Sequence, residues 1–518
     1  AHQVVIGAIL LVAVAAGWWA RAPGVGAGGD ETTYLVLSRS LEHGRYHDEF
    51  LQGTPPHAKY PPGTPLWLAM VRWTAGSSLD AVQAANLLLL ALTALMLGDA
   101  VRRLTGPWPG VAAVGLSAMS PPLLQLAGSA VSEVPFTFLA VAALWLTLLA
   151  DRDRRSRGTA AALVAALGAF LTRSAGIATV AGIIAWILMR RRWRPALGAL
   201  LLSAVVVGGW FAYAARAGST SDPGSSYARD MSRVGTAGRG GIGGLFLQAA
   251  TNAKEYVLML PQSLAVPLLP GTLIDNLIWL VILGACGTMG MVVFLRRWPA
   301  AAVHLVLSFA VLLAWPWPLP RLIVPMLPLV AAAVLTGAFV IARTIGARAQ
   351  VIVPLALAAL LGVPGLLAFT ATDTNHLCDR RNPGYESVCF PEHSAGMVAA
   401  ARWISDTAPP GAVIATTKPS TVFYFSGHRT MPLLSTARPG RADDLAEIGA
   451  KGIDWILLSQ VMRNERAIAN EWLGGDCQRL EVRAEIPQGA LLLSLRAPPG
   501  SGSDACDAIR RFVLAFPD

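Results

Sequence analysis

Long apolar runs alternate with short basic or Gly- and Pro-rich breaks over most of this chain, and the rhythm changes near residue 370. A membrane-spanning helix needs about 20 mostly apolar residues, because each residue adds only about 1.5 Å of rise. Runs that meet this loosely fall at 3–20, 81–98, 107–123, 134–150, 159–172, 175–189, 195–215, 272–295, 299–316, 321–342 and 351–370. About eleven spanning helices are therefore expected, although the runs at 107–123, 159–172 and 175–189 are short or broken by Gly and Pro. The first run lacks a basic start and ends in Gly-Gly-Asp-Glu, so it reads as a permanent helix rather than a cleaved leader. Beyond 370 shorter units follow: a helical stretch at 394–407, an apolar run at 412–415, a helix near 440–450, an apolar run at 455–458, a helix at 461–472, and runs at 480–486 and 491–495. Strands alternating with helices predict a small α/β domain. The expected fold class is thus an α-helical polytopic membrane protein with a C-terminal α/β domain. Its expected division is a transmembrane module over 1–370, with outer loops 21–80 and 216–270, and a second domain over 371–518. Within the second loop, 218–244 is rich in Gly and Ser and reads as a flexible stretch.

Composition sharpens this. Of 518 residues, 54% are hydrophobic and 14% charged, against about 25% charged in ordinary soluble domains, which excludes a soluble globular enzyme. Disorder is excluded by 16 Trp, 15 Phe and 8 Tyr together with that low charge. The net charge of +10 does not imply nucleic acid, because the arginines cluster in short loops between apolar runs: Arg102 and Arg103, 152–157, 190–194, Arg296 and Arg297, Arg343 and Arg348. All five clusters fall on one side of the predicted threading. Taken as cytoplasmic, that side also holds the N-terminus, and 21–80, 124–133, 216–270 and everything after 370 face out. The cysteines agree independently. Cys286 lies in an apolar run, whereas Cys378, Cys389, Cys477 and Cys506 lie after the last one, an even set that suits disulfides in an oxidising compartment. Three pairings are open, and Cys378 with Cys389 and Cys477 with Cys506 is the favoured one.

The first outer loop concentrates ionisable groups. Asp30 and Glu31 stand together just after the first apolar run, and His57-Ala58-Lys59-Tyr60-Pro61-Pro62-Gly63 follows a stretch ending in Gly44-Arg45-Tyr46. Carboxylates at a membrane boundary also serve as helix caps or interfacial groups. Glu133 has that plainer reading, since Ser132 and Glu133 precede a helix-opening Pro135. Arg173 and Arg321 sit at predicted outer helix ends, where a charge is costly unless it faces a cavity or a partner. They suit a phosphate, or alternatively snorkel to headgroups.

These residues resemble the GT-C glycosyltransferases, most closely the family 39 type, the bacterial protein mannosyltransferase and aminoarabinose transferase group. Gly29-Asp30-Glu31-Thr32-Thr33-Tyr34, Gly44-Arg45-Tyr46 and Lys59-Tyr60-Pro61-Pro62-Gly63 look like that group's first periplasmic loop. Ser132-Glu133-Val134-Pro135-Phe136, Leu171-Thr172-Arg173-Ser174-Ala175-Gly176 and Arg321-Leu322-Ile323-Val324-Pro325-Met326-Leu327-Pro328 follow in the same order. The resemblance covers about residues 1–370. It implies an enzyme of the inner membrane of a bacterium that moves a sugar from a polyprenyl-phosphate donor to an acceptor on the outer face, with inversion. A hydroxyl acceptor is a poor nucleophile, so a carboxylate must take its proton, and the lipid phosphate leaves as an anion that needs no acid. The match assigns the base to Asp30, with Glu31 and Glu133 as further catalytic candidates, Glu133 helping to bind acceptor or metal.

By the same resemblance Lys59, Arg173 and Arg321 bind the donor phosphate, and Tyr34, His57 and Tyr60 line the substrate. The implied partners are the polyprenyl phosphate sugar, a lipid, glycan or protein acceptor, and membrane lipids. No cofactor is required by the reading. A divalent metal held by His57 or His43 with a carboxylate stays open beside the plainer reading of each as a polar histidine. Aminoarabinose transferases carry an acidic residue before Lys-Pro-Pro, whereas this chain has Ala58, so lipid A specificity does not follow. A transporter and a non-catalytic envelope protein are the alternatives. Against the first stand the missing repeat-related halves, and against the second the Asp30, Glu31 and Lys59 loop.

Overall fold

The computed structural model describes residues 2–22, 24–26, 29–153, 156–218, 242–264, 277–316, 319–372, 378, 390, 392–433, 444–453, 455–474, 476–487, 489–495 and 503–516. By internal contacts the chain forms two compact units, Ala1–Arg21 with Ala58–Asp373, and Ala22–His57 with Thr374–Asp518. Residues 22–57, which chain order places in the outer loop of the membrane module, thus group with the tail, because their backbone joins the tail's sheet.

In chain order the helices are α1 (His2–Trp19), α2 (Asp30–Glu42), α3 (Gly63–Ala75), α4 (Leu79–Thr105), α5 (Pro107–Ala118), α6 (Pro121–Ala127), α7 (Glu133–Asp153), α8 (Ser156–Thr172), α9 (Ile177–Met189), α10 (Trp193–Gly218), α11 (Ile242–Leu264), α12 (Leu277–Arg297), α13 (Pro299–Ala314), α14 (Pro320–Ile323), α15 (Leu327–Ile345) and α16 (Ala349–Thr372). Among the described residues the apolar runs lie on helices, with 107–123 and 321–342 each split between two. Seven stretches among the described residues are long and apolar enough to cross a membrane alone: α1, α4, α7, α10, α12, Pro320–Ile345 and α16. The weak runs show their weakness in shape. At 107–127 the pair α5 and α6 is bent by 54°, at a break where Pro121 and Pro122 cannot continue the preceding helix. Helices 157–172, 174–189 and 299–314 are apolar but short.

Outward faces of this unit are apolar, with Val205, Ile278 and Leu367 exposed, as lipid-facing residues must be, while Phe170, Trp186, Phe294 and Trp298 are fully buried. Small residues let two helices cross closely. A methyl group at Gly290 would lie 1.8 Å from the Ala333 carbonyl oxygen, and one at Gly337 equally close to that of Cys286, so α12 and α15 meet backbone to backbone.

Helix α11 lies in what the sequence reads as loop. Gln248, Asn252, Lys254 and Glu255 interrupt its apolar residues, so it fails the spanning pattern. Its buried Asn252 donates to the carbonyls of Leu313 at 3.0 Å and Trp315 at 2.7 Å, satisfying groups that the end of α13 leaves open. The predicted flexible stretch, 218–244, lies outside the described residues over 219–241.

The second unit holds a five-stranded sheet built from β1 (Ile414–Thr416), β2 (Thr430–Pro432), β3 (Trp455–Ser459), β4 (Leu480–Ile486) and β5 (Ala490–Leu495), in the order β2-β1-β3-β5-β4. β1 is parallel to both β2 and β3, whereas β5 runs antiparallel to β3 and β4. Four strands and the three expected helices, α17 (Glu392–Thr407), α19 (Asp444–Ala450) and α20 (Arg463–Leu473), match the alternation predicted beyond 370. β2, α18 (Pro419–Ser426) and α21 (Ser503–Leu514) were not expected, since β2 is three residues long and α21 is strongly amphipathic rather than apolar. α21 packs Ala508, Ile509 and Phe512 into the core beside Ile456, Leu491 and Leu493. Cys506 of α21 bonds to Cys477, as expected, which closes a loop of sequence separation 29. The other expected pairing involves Cys389, outside the described residues.

The first loop completes this sheet. Thr430 of β2 donates its backbone N–H to the Phe50 carbonyl at 2.8 Å, and Gln52 donates to the Thr430 carbonyl at 2.9 Å, so Leu51 forms a single parallel bridge at the β2 edge. Phe50, Leu51 and Val36 of α2 then pack with Phe423 and Tyr424 of α18, and the Arg39 guanidinium sits 5.3 Å from the centre of the Tyr424 ring. A sheet edge left bare is an aggregation hazard, which the loop removes here.

Candidate functional site

In the first unit, two arginines far apart in sequence converge on one carboxylate. Glu133 opens α7, where a negative charge is favoured by the unpaired N–H groups of the first turn. Arg173 follows the last residue of α8 in extended conformation, at the break before the short turn Ser174–Gly176. Arg321 lies on the one-turn helix α14, between two prolines that hold the chain out of regular helix. Glu133 is fully buried and accepts from Arg173 Nη1 at 2.7 Å and from Arg321 Nε. Arg173 also donates to Ser132 Oγ at 3.0 Å.

Both guanidiniums turn to this buried carboxylate. Among these three side chains, two positive charges face one negative. Arg321 keeps 37% of its side chain exposed and Arg173 18%, against none for Glu133, so the positive excess is the accessible part. A guanidinium so placed is suited to a bidentate phosphate contact. The Glu133 carboxylate accepts from both guanidiniums and so holds the two arginines together.

Lys59 and Tyr60 belong to the same unit. The Lys59 ammonium lies 5.7 Å from the centre of the Tyr60 ring, and the next residues, Pro61 and Pro62, lead directly into α3. Lys59 is half-buried and Tyr60 buried.

In the second unit, Asp30 is the first residue of α2 and is half-buried. Gly29 before it has φ 98°, a left-handed conformation that glycine adopts readily, and this sets the direction in which the helix starts. Glu31 is buried, and its Oε2 accepts the Gly26 N–H at 2.6 Å, which ties the helix to the strap that precedes it. Tyr34 is buried within α2. His57 Nδ1 meets Asp48 Oδ1 at 2.6 Å, with both side chains 3% exposed, and the Tyr46 ring stands edge-on at 5.3 Å. His43, by contrast, is exposed and its Nδ1 lies 2.8 Å from the Arg39 carbonyl.

The groups offered as metal ligands have other partners: His57 pairs with Asp48, Glu133 with two arginines, and His43 Nδ1 lies against the Arg39 carbonyl. Among the described residues no three His, Cys, Asp or Glu side chains gather as a metal site.

Sequence reading missed Asp48 and the segment Thr416-Thr417-Lys418-Pro419-Ser420-Thr421. The second carried a signal. Hydroxyl residues around a proline, after a short apolar run, mark a strand-to-helix turn.

Residues 59–211 match the model of the dolichyl-phosphate-mannose-protein mannosyltransferase family. No curated protein sequence matches the chain. Among solved structures, ArnT from Cupriavidus metallidurans bound to undecaprenyl phosphate is similar over 97% of this chain and 99% of its own, with 16% identity and a TM-score of 0.57. The Archaeoglobus fulgidus oligosaccharyltransferase in the apo form is similar over 90% of this chain and 71% of its own, with 14% identity and a TM-score of 0.57. The archaeal oligosaccharyltransferase AglB from the same organism, in complex with an inhibitory peptide and a dolichol-phosphate, covers 87% and 69%, with 12% identity and a TM-score of 0.54.

Proposed function

We propose that this chain, a multi-pass membrane glycosyltransferase of the GT-C fold, moves a sugar from a polyprenyl-phosphate donor to a lipid, glycan or protein acceptor, with inversion at the anomeric carbon. The observation that carries this reading is the buried Glu133 that turns Arg173 and Arg321 into one accessible cationic cluster. A lipid-phosphate donor demands such a cluster, and relatives in fold were solved with undecaprenyl phosphate and with dolichol-phosphate.

The roles follow from the chemistry. Arg173, Arg321 and Lys59 hold the donor phosphate and stabilise it as it departs as an anion, an electrostatic task that fixed donors perform without reorganising. Asp30 accepts the acceptor's proton as the acceptor attacks the anomeric carbon. Glu31 orients the start of α2 through Gly26, and Glu133 orients the two arginines. Tyr34, Tyr60 and His57 shape the surroundings from buried positions. Arg321→Ala should weaken binding of polyprenyl phosphate about tenfold or more, since a charge-assisted hydrogen bond contributes roughly 1.5 to 3 kcal/mol. Unchanged binding in a folded Arg321→Ala variant removes this arginine from the donor site.

We place the basic loops in the cytoplasm of a bacterium, with the N-terminus inside and the tail outside the inner membrane. The one-sided arginines and the Cys477–Cys506 disulfide both support that orientation. A reporter fused after Asp518 should be active only outside, and one in the loop at Arg154 only inside. Activity of the C-terminal fusion in the cytoplasm inverts the orientation.

A further inference from the structure

In open α/β sheets, ligands bind beyond the carboxyl ends of the parallel strands. Here that edge carries Thr417 and Lys418 after β1 and Ser459 at the end of β3. Two groups fill it. The first is Glu465 of α20, fully buried, which accepts from the Thr417 hydroxyl and from the Ser459 backbone N–H, with Ser459 Oγ at 3.1 Å. Burial pushes its carboxyl up to about 7, and the nearby charge of Lys418 opposes that rise.

The second is the start of α2, in the place a ligand would take. The Gly29 carbonyl has three hydroxyls around it: Thr33 Oγ1 at 2.7 Å, Thr32 Oγ1 at 3.0 Å and Ser420 Oγ at 3.0 Å. Ser420 is also 2.8 Å from Thr33 Oγ1, and Thr421 is 3.2 Å from Thr32 Oγ1. The Lys418 stem lies across Gly29, such that a methyl group there would come 3.3 Å from Cδ and 3.4 Å from Nζ. Lys418 thereby brings a positive charge to a helix start that is already positive through its N–H groups. Such a placement is unfavourable unless carboxylates offset it, and the next two residues are Asp30 and Glu31.

We infer that Lys418, reached across the tail's sheet edge, is a positioning residue for transfer. Its ammonium is the counter-charge that keeps the adjacent Asp30 and Glu31 carboxylates side by side in their working arrangement, and its stem fixes the Gly29 turn. The inference rests on the reading of Asp30 as the base, and it makes the tail domain part of the catalytic apparatus rather than an appendage.

The test uses the purified full chain with a polyprenyl-phosphate sugar, with kcat expressed per folded molecule. Lys418→Met keeps the stem over Gly29 and loses the charge; Lys418→Arg keeps the charge. Lys418→Met should lower kcat at least tenfold with KM for the donor within twofold of the original, and Lys418→Arg should restore most of the loss. Three results overturn the inference: an unchanged kcat per folded molecule in Lys418→Met, whatever its thermal midpoint; a raised donor KM at unchanged kcat, which places Lys418 on the donor itself; or equal loss in both variants, which makes shape rather than charge the cause. Asp30→Asn is measured alongside. Normal turnover there sinks the reading of Asp30 and this inference with it, whereas an inactive Asp30→Asn beside a normal Lys418→Met sinks the inference alone.

Discussion

Asp30→Asn should give a folded, membrane-inserted protein whose transfer rate falls by a factor of about 10² to 10⁴, the usual cost of losing a general base. The amide preserves volume and can still sit at the first position of α2, so the Gly29 turn and the hydroxyls around its carbonyl need not move. What it cannot do is accept a proton from the attacking hydroxyl. Donor binding should be nearly unchanged, because the phosphate is assigned to Arg173, Arg321 and Lys59. The check is a pair of measurements on one preparation, turnover and polyprenyl phosphate binding. Near-normal turnover with normal expression takes Asp30 out of the mechanism.

Glu133→Ala should be among the most damaging single changes to the fold of the first unit. It leaves two guanidiniums around an emptied, fully buried position. A fully buried ion pair that loses one partner commonly costs about 3 to 5 kcal/mol, and the loss here should be smaller because both remaining guanidiniums are partly exposed to solvent. Folded yield and thermal midpoint in detergent should both drop, and donor binding should fall in whatever folds. A double variant, Glu133→Gln with Arg173→Gln, should recover part of the stability, since it removes opposite charges together. Full stability of Glu133→Ala contradicts the cluster as the device that holds the arginines.

The membrane-spanning architecture was largely legible in the sequence, because the bilayer imposes a length and polarity rule that every span must meet. Even the weak runs were informative, as the 54° bend between α5 and α6 shows. Helix α11 was hidden because a helix lying against other helices needs only one apolar face, and polar residues such as Asn252 broke the run. Candidate residues were legible by type and position, but their partners were not. Glu133, Arg173 and Arg321 are separated by 40 and 148 positions, and nothing local in the chain says that one carboxylate serves both arginines. The grouping of residues 22–57 with the tail was hidden for the same reason. Part of its cause is two backbone hydrogen bonds, Thr430 N–H to the Phe50 carbonyl and Gln52 N–H to the Thr430 carbonyl, and backbone bonds leave no trace in side-chain pattern.

The most direct test of transfer from a lipid phosphate places the purified full chain in vesicles with a polyprenyl-phosphate sugar labelled in the sugar, together with a crude envelope acceptor fraction. The expected result is loss of label from the lipid, with polyprenyl phosphate appearing in equal amount, in the original protein and not in Asp30→Asn. Label that crosses the vesicle wall still attached to its lipid, or lipid that stays intact in both proteins, contradicts it.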